Sequence, residues 1–218
     1  MIRLAVLAIG YVFGLFQTAY IYGKAKGIDT RQHGSGNAGT TNSLRVLGPK
    51  AGVIVMLGDI FKCVFAVTLT RLLFGKSHAD MIYLLMIYAA AGVVLGHNFP
   101  FYLNFKGGKG IAATAGLVFS FHPYLILIEV LLFLGTFFTA HFVSLASILA
   151  YTGFFIQVLV FGQMGVFGMS QAYLNEMFVI VFLMTAMAYW RHKENIGRLI
   201  RGEERKTYLS KKSKEALQ

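Results

Sequence analysis

Residues 111–121 read Ile-Ala-Ala-Thr-Ala-Gly-Leu-Val-Phe-Ser-Phe, and the reading of this stretch decides the fold. It is apolar enough for a membrane. As a helix, however, it reaches only ~17 Å at 1.5 Å per residue, short of a ~30 Å hydrocarbon core. Outside it, residues 4–22, 51–74, 81–96, 124–140, 142–161 and 173–190 are apolar runs of spanning length.

Charge decides whether the short piece crosses. Most of the twenty basic residues fall in three places: the loop after the first run (Lys24, Lys26, Arg31, Arg45, Lys50), the loop before Ile111 (Lys106, Lys109), and everything after Trp190. Basic loops stay on the cytoplasmic side. Two long runs separate the first basic loop from the second, which agrees. Three separate the second from the tail, which leaves the two on opposite sides unless residues 111–121 cross as well or one of the long runs is re-entrant. A short crossing is tolerable where protein covers its ends or water enters a cavity. The expectation is therefore an all-α, polytopic membrane protein with seven transmembrane helices, one short or distorted, its N-terminus outside and C-terminus cytoplasmic.

Composition agrees. Of the 218 residues, 56% are hydrophobic and 13% charged, with a mean hydropathy of +0.64. A soluble domain carries about a quarter charged residues, and a membrane β-barrel shows short alternating segments instead. The first run lacks a strongly basic start and a small-residue cleavage site, so it reads as a retained span, not a leader. The net charge of +11 sits beside spans and needs no nucleic acid to explain it. Cys63, the lone cysteine, excludes an internal disulfide and a cysteine zinc cluster. Residues 1–202 read as one integral membrane domain and 203–218 as a polar cytoplasmic tail that frays.

Any chemistry must sit in three polar clusters on the basic side. The first is Gly34-Ser35-Gly36-Asn37-Ala38-Gly39-Thr40-Thr41-Asn42, with Arg45 just beyond. Such glycines permit positive φ, successive N–H groups form an anion nest, and a guanidinium grips phosphate bidentately. Gly34, Gly36 and Gly39 also spell a dinucleotide fingerprint, which the flanking membrane-length runs reject. The second cluster runs from His97 and Asn98 to Lys106-Gly107-Gly108-Lys109-Gly110, opening a helix, where free N–H groups favour anions. The third is His192-Lys193-Glu194-Asn195-Ile196-Gly197-Arg198. There His192, Asn195 and Arg198 share a helix face, and Lys193 and Arg201 read as a basic collar at the lipid headgroups. Inside the spans, Asp59 and Lys62 neutralise each other at i, i+3, and Glu129 is a lone acid, either facing an interior cavity or protonated.

Taken together, residues 34–48, 58–62, 96–112, 142–148 and 192–199 resemble the bacterial acyl-phosphate-dependent glycerol-3-phosphate acyltransferases. The resemblance covers nearly the whole chain in order. It implies transfer of a fatty acyl group from acyl phosphate to glycerol 3-phosphate, giving 1-acyl-glycerol 3-phosphate (lysophosphatidic acid) and phosphate, the first step of bacterial phospholipid synthesis. It further implies a multi-pass protein of the cell (inner) membrane with a cytoplasmic active site. The partners would be the two substrates, membrane lipids and other enzymes of phospholipid synthesis. Because an acyl phosphate is already activated, neither a cofactor nor a metal nor a covalent serine is needed.

On this reading Gly34, Ser35, Gly36 and Asn37 with Arg45 hold the acyl-phosphate headgroup and its developing charge. Lys106, Gly107, Gly108 and Lys109 bind glycerol 3-phosphate. His192 and Asn195 orient both, with either His192 or the leaving phosphate as base. His97, Glu194 and Arg198 complete the substrate-binding set. The rival reading is an anion or phosphoester transporter, for which the repeated halves are missing.

Overall fold

A computed structural model describes residues 1–208, and every regular element among them is helical. The expected fraying concerns in part residues 209–218, which lie outside the described residues. In chain order the helices are α1 (Ile2–Gly14), α2 (Thr18–Ala25), α3 (Thr40–Leu47), α4 (Pro49–Phe74), α5 (Ile82–Asn98), α6 (Ile111–Phe121), α7 (Pro123–Ala140), α8 (Val143–Gln163), α9 (Gln171–Arg191) and α10 (Lys193–Ile200). Among the described residues six helical stretches are long and apolar enough to cross a membrane, with α1–α2 forming one of them and α6 left as the shorter apolar helix.

The bundle is built around α5, whose residues from Leu84 to Val94 are almost all buried. Between helices in lipid there is no hydrophobic driving force, so close backbone approach has to supply the attraction. Gly10 and Gly14 of α1 face Gly92 and Gly96 of α5. A Cβ at Gly10 would overlap the Ala89 carbonyl, and one at Gly92 would overlap that of Leu7. The two four-residue glycine spacings are thus one seam. Gly116 of α6 does the same against Ile60 and Cys63 of α4.

The first span departs from expectation. Residues 4–22 do not form one helix: residues 15–17 break it into α1 and α2. Backbone groups freed inside a membrane need internal partners, and two buried side chains supply them. Gln17 Nε2 donates to the carbonyls of Gly14, Gly96 and His97 at 3.1–3.2 Å, and Lys62 Nζ donates to that of Phe16 at 2.9 Å. Lys62 also meets Asp59 Oδ1 at 2.8 Å, as its i, i+3 spacing requires, and His97 Nδ1 at 2.7 Å. Since an ammonium only donates, Nδ1 of His97 is the acceptor and its Nε2 carries the hydrogen.

Candidate active site

A cavity of about 840 Å³ opens where α3, α6, α8 and α10 come together. Every residue expected to bind substrate or to react lines it except Gly108. Segments separated by more than half the chain therefore converge on one site.

The first wall is the loop before α3. Gly34 and Gly36 take positive φ, +64° and +69°, and the loop folds around the buried side chain of Asn42. That amide accepts from Ser35 N–H at 2.8 Å and donates to the carbonyls of Thr30 and His33 at 2.8 and 3.1 Å. A Cβ at Gly34 would overlap Asn42 Oδ1. The loop is thus pinned from within, and Ser35 is left exposed at the cavity. The N–H groups of Thr40 and Thr41, which open α3, have no acceptor among the described residues. Arg45 reaches across to Thr207 Oγ1 at 2.9 Å.

The second wall corrects an expectation. The N–H groups of Gly107 and Gly108 are not free for an anion: they donate to the carbonyls of Asn98 and His97, both at 3.1 Å. The glycine pair caps the C-terminus of α5, whose last carbonyls would otherwise be orphaned. Gly108 sits behind the wall, where a Cβ would overlap His97 Nε2 and stand 2.8 Å from the Ala38 carbonyl. The donors without an acceptor among the described residues lie further on, at Ile111, Ala112 and Ala113, because the first bond of α6 is Thr114 N–H to Gly110 carbonyl. Arg191 holds the capping loop from the other side, donating to the carbonyls of Gly107 and Gly108 at 3.1 and 2.6 Å.

The third wall carries the acid–base groups. His192 is buried, and its Nδ1 lies 2.8 Å from the Ala188 carbonyl. A carbonyl only accepts, so Nδ1 is protonated and Nε2 keeps its lone pair. Burial, reinforced by the charge of Lys109, holds its pKa down to about 4, so the ring is neutral at neutral pH. Lys109 Nζ is hydrogen-bonded to Asn195 Oδ1. Burial and the neighbouring Arg198 bring its pKa down to about 8, which leaves it mostly cationic at pH 7.

Sequence reasoning missed the residue that ties this wall together. Glu204 accepts from Asn195 Nδ2 at 2.6 Å, from Arg198 Nε at 2.7 Å and from Ser144 Oγ at 3.0 Å. Burial pushes its carboxyl upward, but these donors outweigh that and hold it below the usual range. Glu204 and Thr207 fall beyond the expected domain limit at residue 202, yet both bind site residues. Lys193 lies over the Trp190 ring and lines the cavity, and Arg201 pairs with exposed Glu203.

Beyond this polar mouth the cavity turns apolar and runs along the membrane helices past Ala115, Val118, Val130 and Ala150 to Phe154 and Glu129. Met56, Phe119 and Leu134 line it and are among the exposed large apolar side chains. No group of three or more His, Cys, Asp or Glu residues suited to a metal occurs among the described residues.

Comparison with known proteins agrees with this geometry. A family model described as glycerol-3-phosphate acyltransferase matches residues 4–202. A glycerol-3-phosphate acyltransferase of Alkaliphilus metalliredigens is 40% identical over 207 residues, covering 94% of this chain and 96% of its own. That of Halalkalibacterium halodurans is 39% identical over 204 residues, covering 92% and 93%. Among solved structures, the glycerol 3-phosphate form of PlsY (YgiH), an integral membrane glycerol 3-phosphate acyltransferase, superposes with a TM-score of 0.81 at 33% identity, over 94% of this chain and 96% of that one. Its lysophosphatidic acid form gives 0.78 at the same identity, over 95% and 96%. With a match over almost its full length in sequence and in fold, this multi-pass membrane protein belongs to the glycerol-3-phosphate acyltransferase family.

Proposed function

We propose that this chain transfers a fatty acyl group from acyl phosphate to glycerol 3-phosphate, releasing lysophosphatidic acid and phosphate. The observation that carries this is the two-part cavity: a cationic mouth with two helix N-termini, continuous with an apolar channel lined by the membrane helices. One substrate is a small phosphoester, and the other joins a phosphate to a hydrocarbon chain. A cavity with one polar and one apolar half suits that pair.

In this reading the loop at Gly34, Ser35, Gly36 and Asn37, the start of α3 and Arg45 hold the acyl-phosphate headgroup, with the hydrocarbon running down the channel. Lys106 and Lys109, with the first turn of α6, hold glycerol 3-phosphate. The glycines 107 and 108 serve by letting that loop lie flat on α5. Asn195, fixed between Lys109 and Glu204, and His192 orient the acceptor hydroxyl, and His97, Glu194 and Arg198 complete the wall.

The hydroxyl oxygen attacks the acyl carbon, the bond from that carbon to the phosphate oxygen breaks, and phosphate departs. Nε2 of His192 accepts the hydrogen bond of the attacking hydroxyl. No carboxylate stands behind Nδ1 to stabilise an imidazolium, as one does in a hydrolase triad, and Lys109 and Arg191 beside the ring oppose a positive charge there. The proton therefore ends on the leaving phosphate. Charge developing on the carbonyl oxygen is met by preorganised donors of the first loop.

The same reading puts the site on the cytoplasmic side of the bacterial inner membrane. Seven crossings, α6 among them, leave the N-terminus outside. Residues 1–202 form the membrane-embedded part of the catalytic unit, and the first residues of the cytoplasmic tail after it pack back on the site and complete it. Other enzymes of phospholipid synthesis would supply the acyl phosphate and consume the product. The test is phosphate release by the purified protein. Transfer gives release that requires glycerol 3-phosphate and matches lysophosphatidic acid formed. A transporter would move the anion across vesicles and leave acyl phosphate intact.

A further inference from the structure

The apolar channel ends on a polar group that the transfer reaction does not use. Glu129 lines its inner end, 6% exposed, about 16 Å along α7 from Ala140 at 1.5 Å per residue. Phe154 lies at a similar depth, about 16 Å along α8 from Val143. The carboxyl is built in. Gln157 Nε2 donates to Glu129 Oε1 from behind. Gly153 leaves the space in which the carboxyl lies, since a Cβ there would stand 3.0 Å from Oε1 and overlap Leu132 Cδ1. An ionisable group at this depth is expensive to bury, and packing alone would be served better by leucine.

We propose that Glu129, braced by Gln157 and seated on Gly153, is the floor of the acyl channel and sets the longest acyl chain that the protein accepts. This rests on reading the cavity as the acyl-phosphate site. Above the floor each methylene of the chain passes from water or headgroup to an apolar wall. That burial is worth about 0.8 kcal/mol per CH₂, or about fourfold in affinity. A chain long enough to touch the floor gains nothing more: its terminal methyl meets a carboxyl and must displace it from its hydrogen bond. Selectivity therefore rises with length up to the floor and falls beyond it.

The experiment measures kcat/KM for a series of saturated acyl phosphates of increasing length, at saturating glycerol 3-phosphate. Ratios between lengths within one variant do not depend on how much of it is folded. Glu129→Ala makes room for about two methylenes and moves the optimum to longer chains, changing the long-to-short ratio by about 15-fold. Glu129→Gln keeps size, polarity and a partner for Gln157, and retains the wild-type profile. Gly153→Ala pushes the carboxyl into the channel and moves the optimum to shorter chains. Wild-type profiles in both Glu129→Ala and Gly153→Ala overturn the proposal: the chain then leaves between α4, α6 and α7, past Met56, Phe119 and Leu134, without sensing the floor. If the wild-type protein releases phosphate from no acyl phosphate of any length, the transfer reading itself fails, a result seen before any variant is made.

Discussion

The amide of Gly108 donates to the carbonyl of His97, and no room is left between that glycine and the His97 ring. A glycine pair beside lysines at a helix start invites the reading of a phosphate cradle. Here it is the cap of the preceding helix, and the N–H groups without an acceptor among the described residues lie in the first turn of α6.

This changes what Gly108→Ala should do. A methyl in that position overpacks the contact with His97 and Ala38, at a cost of about 1–3 kcal/mol. The expected outcome is a lower melting temperature and a kcat/KM reduced for both substrates together. A rise confined to the KM for glycerol 3-phosphate, with unchanged thermal stability, would restore the cradle reading.

Arg45 is joined to the site by one hydrogen bond to Thr207, which leaves the rest of its guanidinium fork for a ligand. Lysine keeps the charge but not the fork. Steady-state assay of Arg45→Lys should show turnover lowered ~10²-fold, close to Arg45→Ala. Near-wild-type turnover would reduce Arg45 to a topological charge.

The pH profile should identify Lys109. Its pKa of about 8, set by burial and by Arg198, predicts that kcat/KM falls as the pH rises through about 8, because the ammonium form binds phosphate. The profile of kcat should fall at higher pH, since bound phosphate favours the charged form. In Lys109→Arg the alkaline fall should disappear. If it persists unchanged, another group is titrating.

How much of this was legible in the sequence depends on which contacts are local. The spans follow from hydropathy, and a helix at residues 111–121 follows from its apolar run. The break at residues 15–17 does not, because hydropathy averages over Gln17, whose partners at Gly96 and His97 lie in another helix. Glu204 was invisible for a related reason. In a charged tail one glutamate looks like the next, and only packing against Ser144, Asn195 and Arg198 sets it apart from exposed Glu203. The three polar clusters were legible as residue types, whereas the division between backbone capping and free donors within them was a tertiary outcome.

Glu204→Ala tests that packing. It strands Asn195, Arg198 and Ser144, each of which loses its acceptor, and should destabilise the protein by about 2 kcal/mol. Thermal unfolding in detergent should show the loss, and activity should fall with it because Asn195 is released. Glu204→Gln, which keeps one acceptor oxygen, should recover part of both. Unchanged stability in Glu204→Ala would remove the carboxylate from the framework of the site.

Everything proposed for the reaction depends on three polar segments facing one side of the membrane. Single cysteines placed in a Cys63→Ser background measure this directly. The chosen positions are exposed in the structure: Gln32, Lys106 and Arg205, with Ser77 as the opposite-side control. With an impermeant thiol reagent, Gln32→Cys, Lys106→Cys and Arg205→Cys should react only from the cytoplasmic side, and Ser77→Cys only from outside. Labelling of Arg205→Cys from outside alone would contradict the seven crossings and the shared site with them.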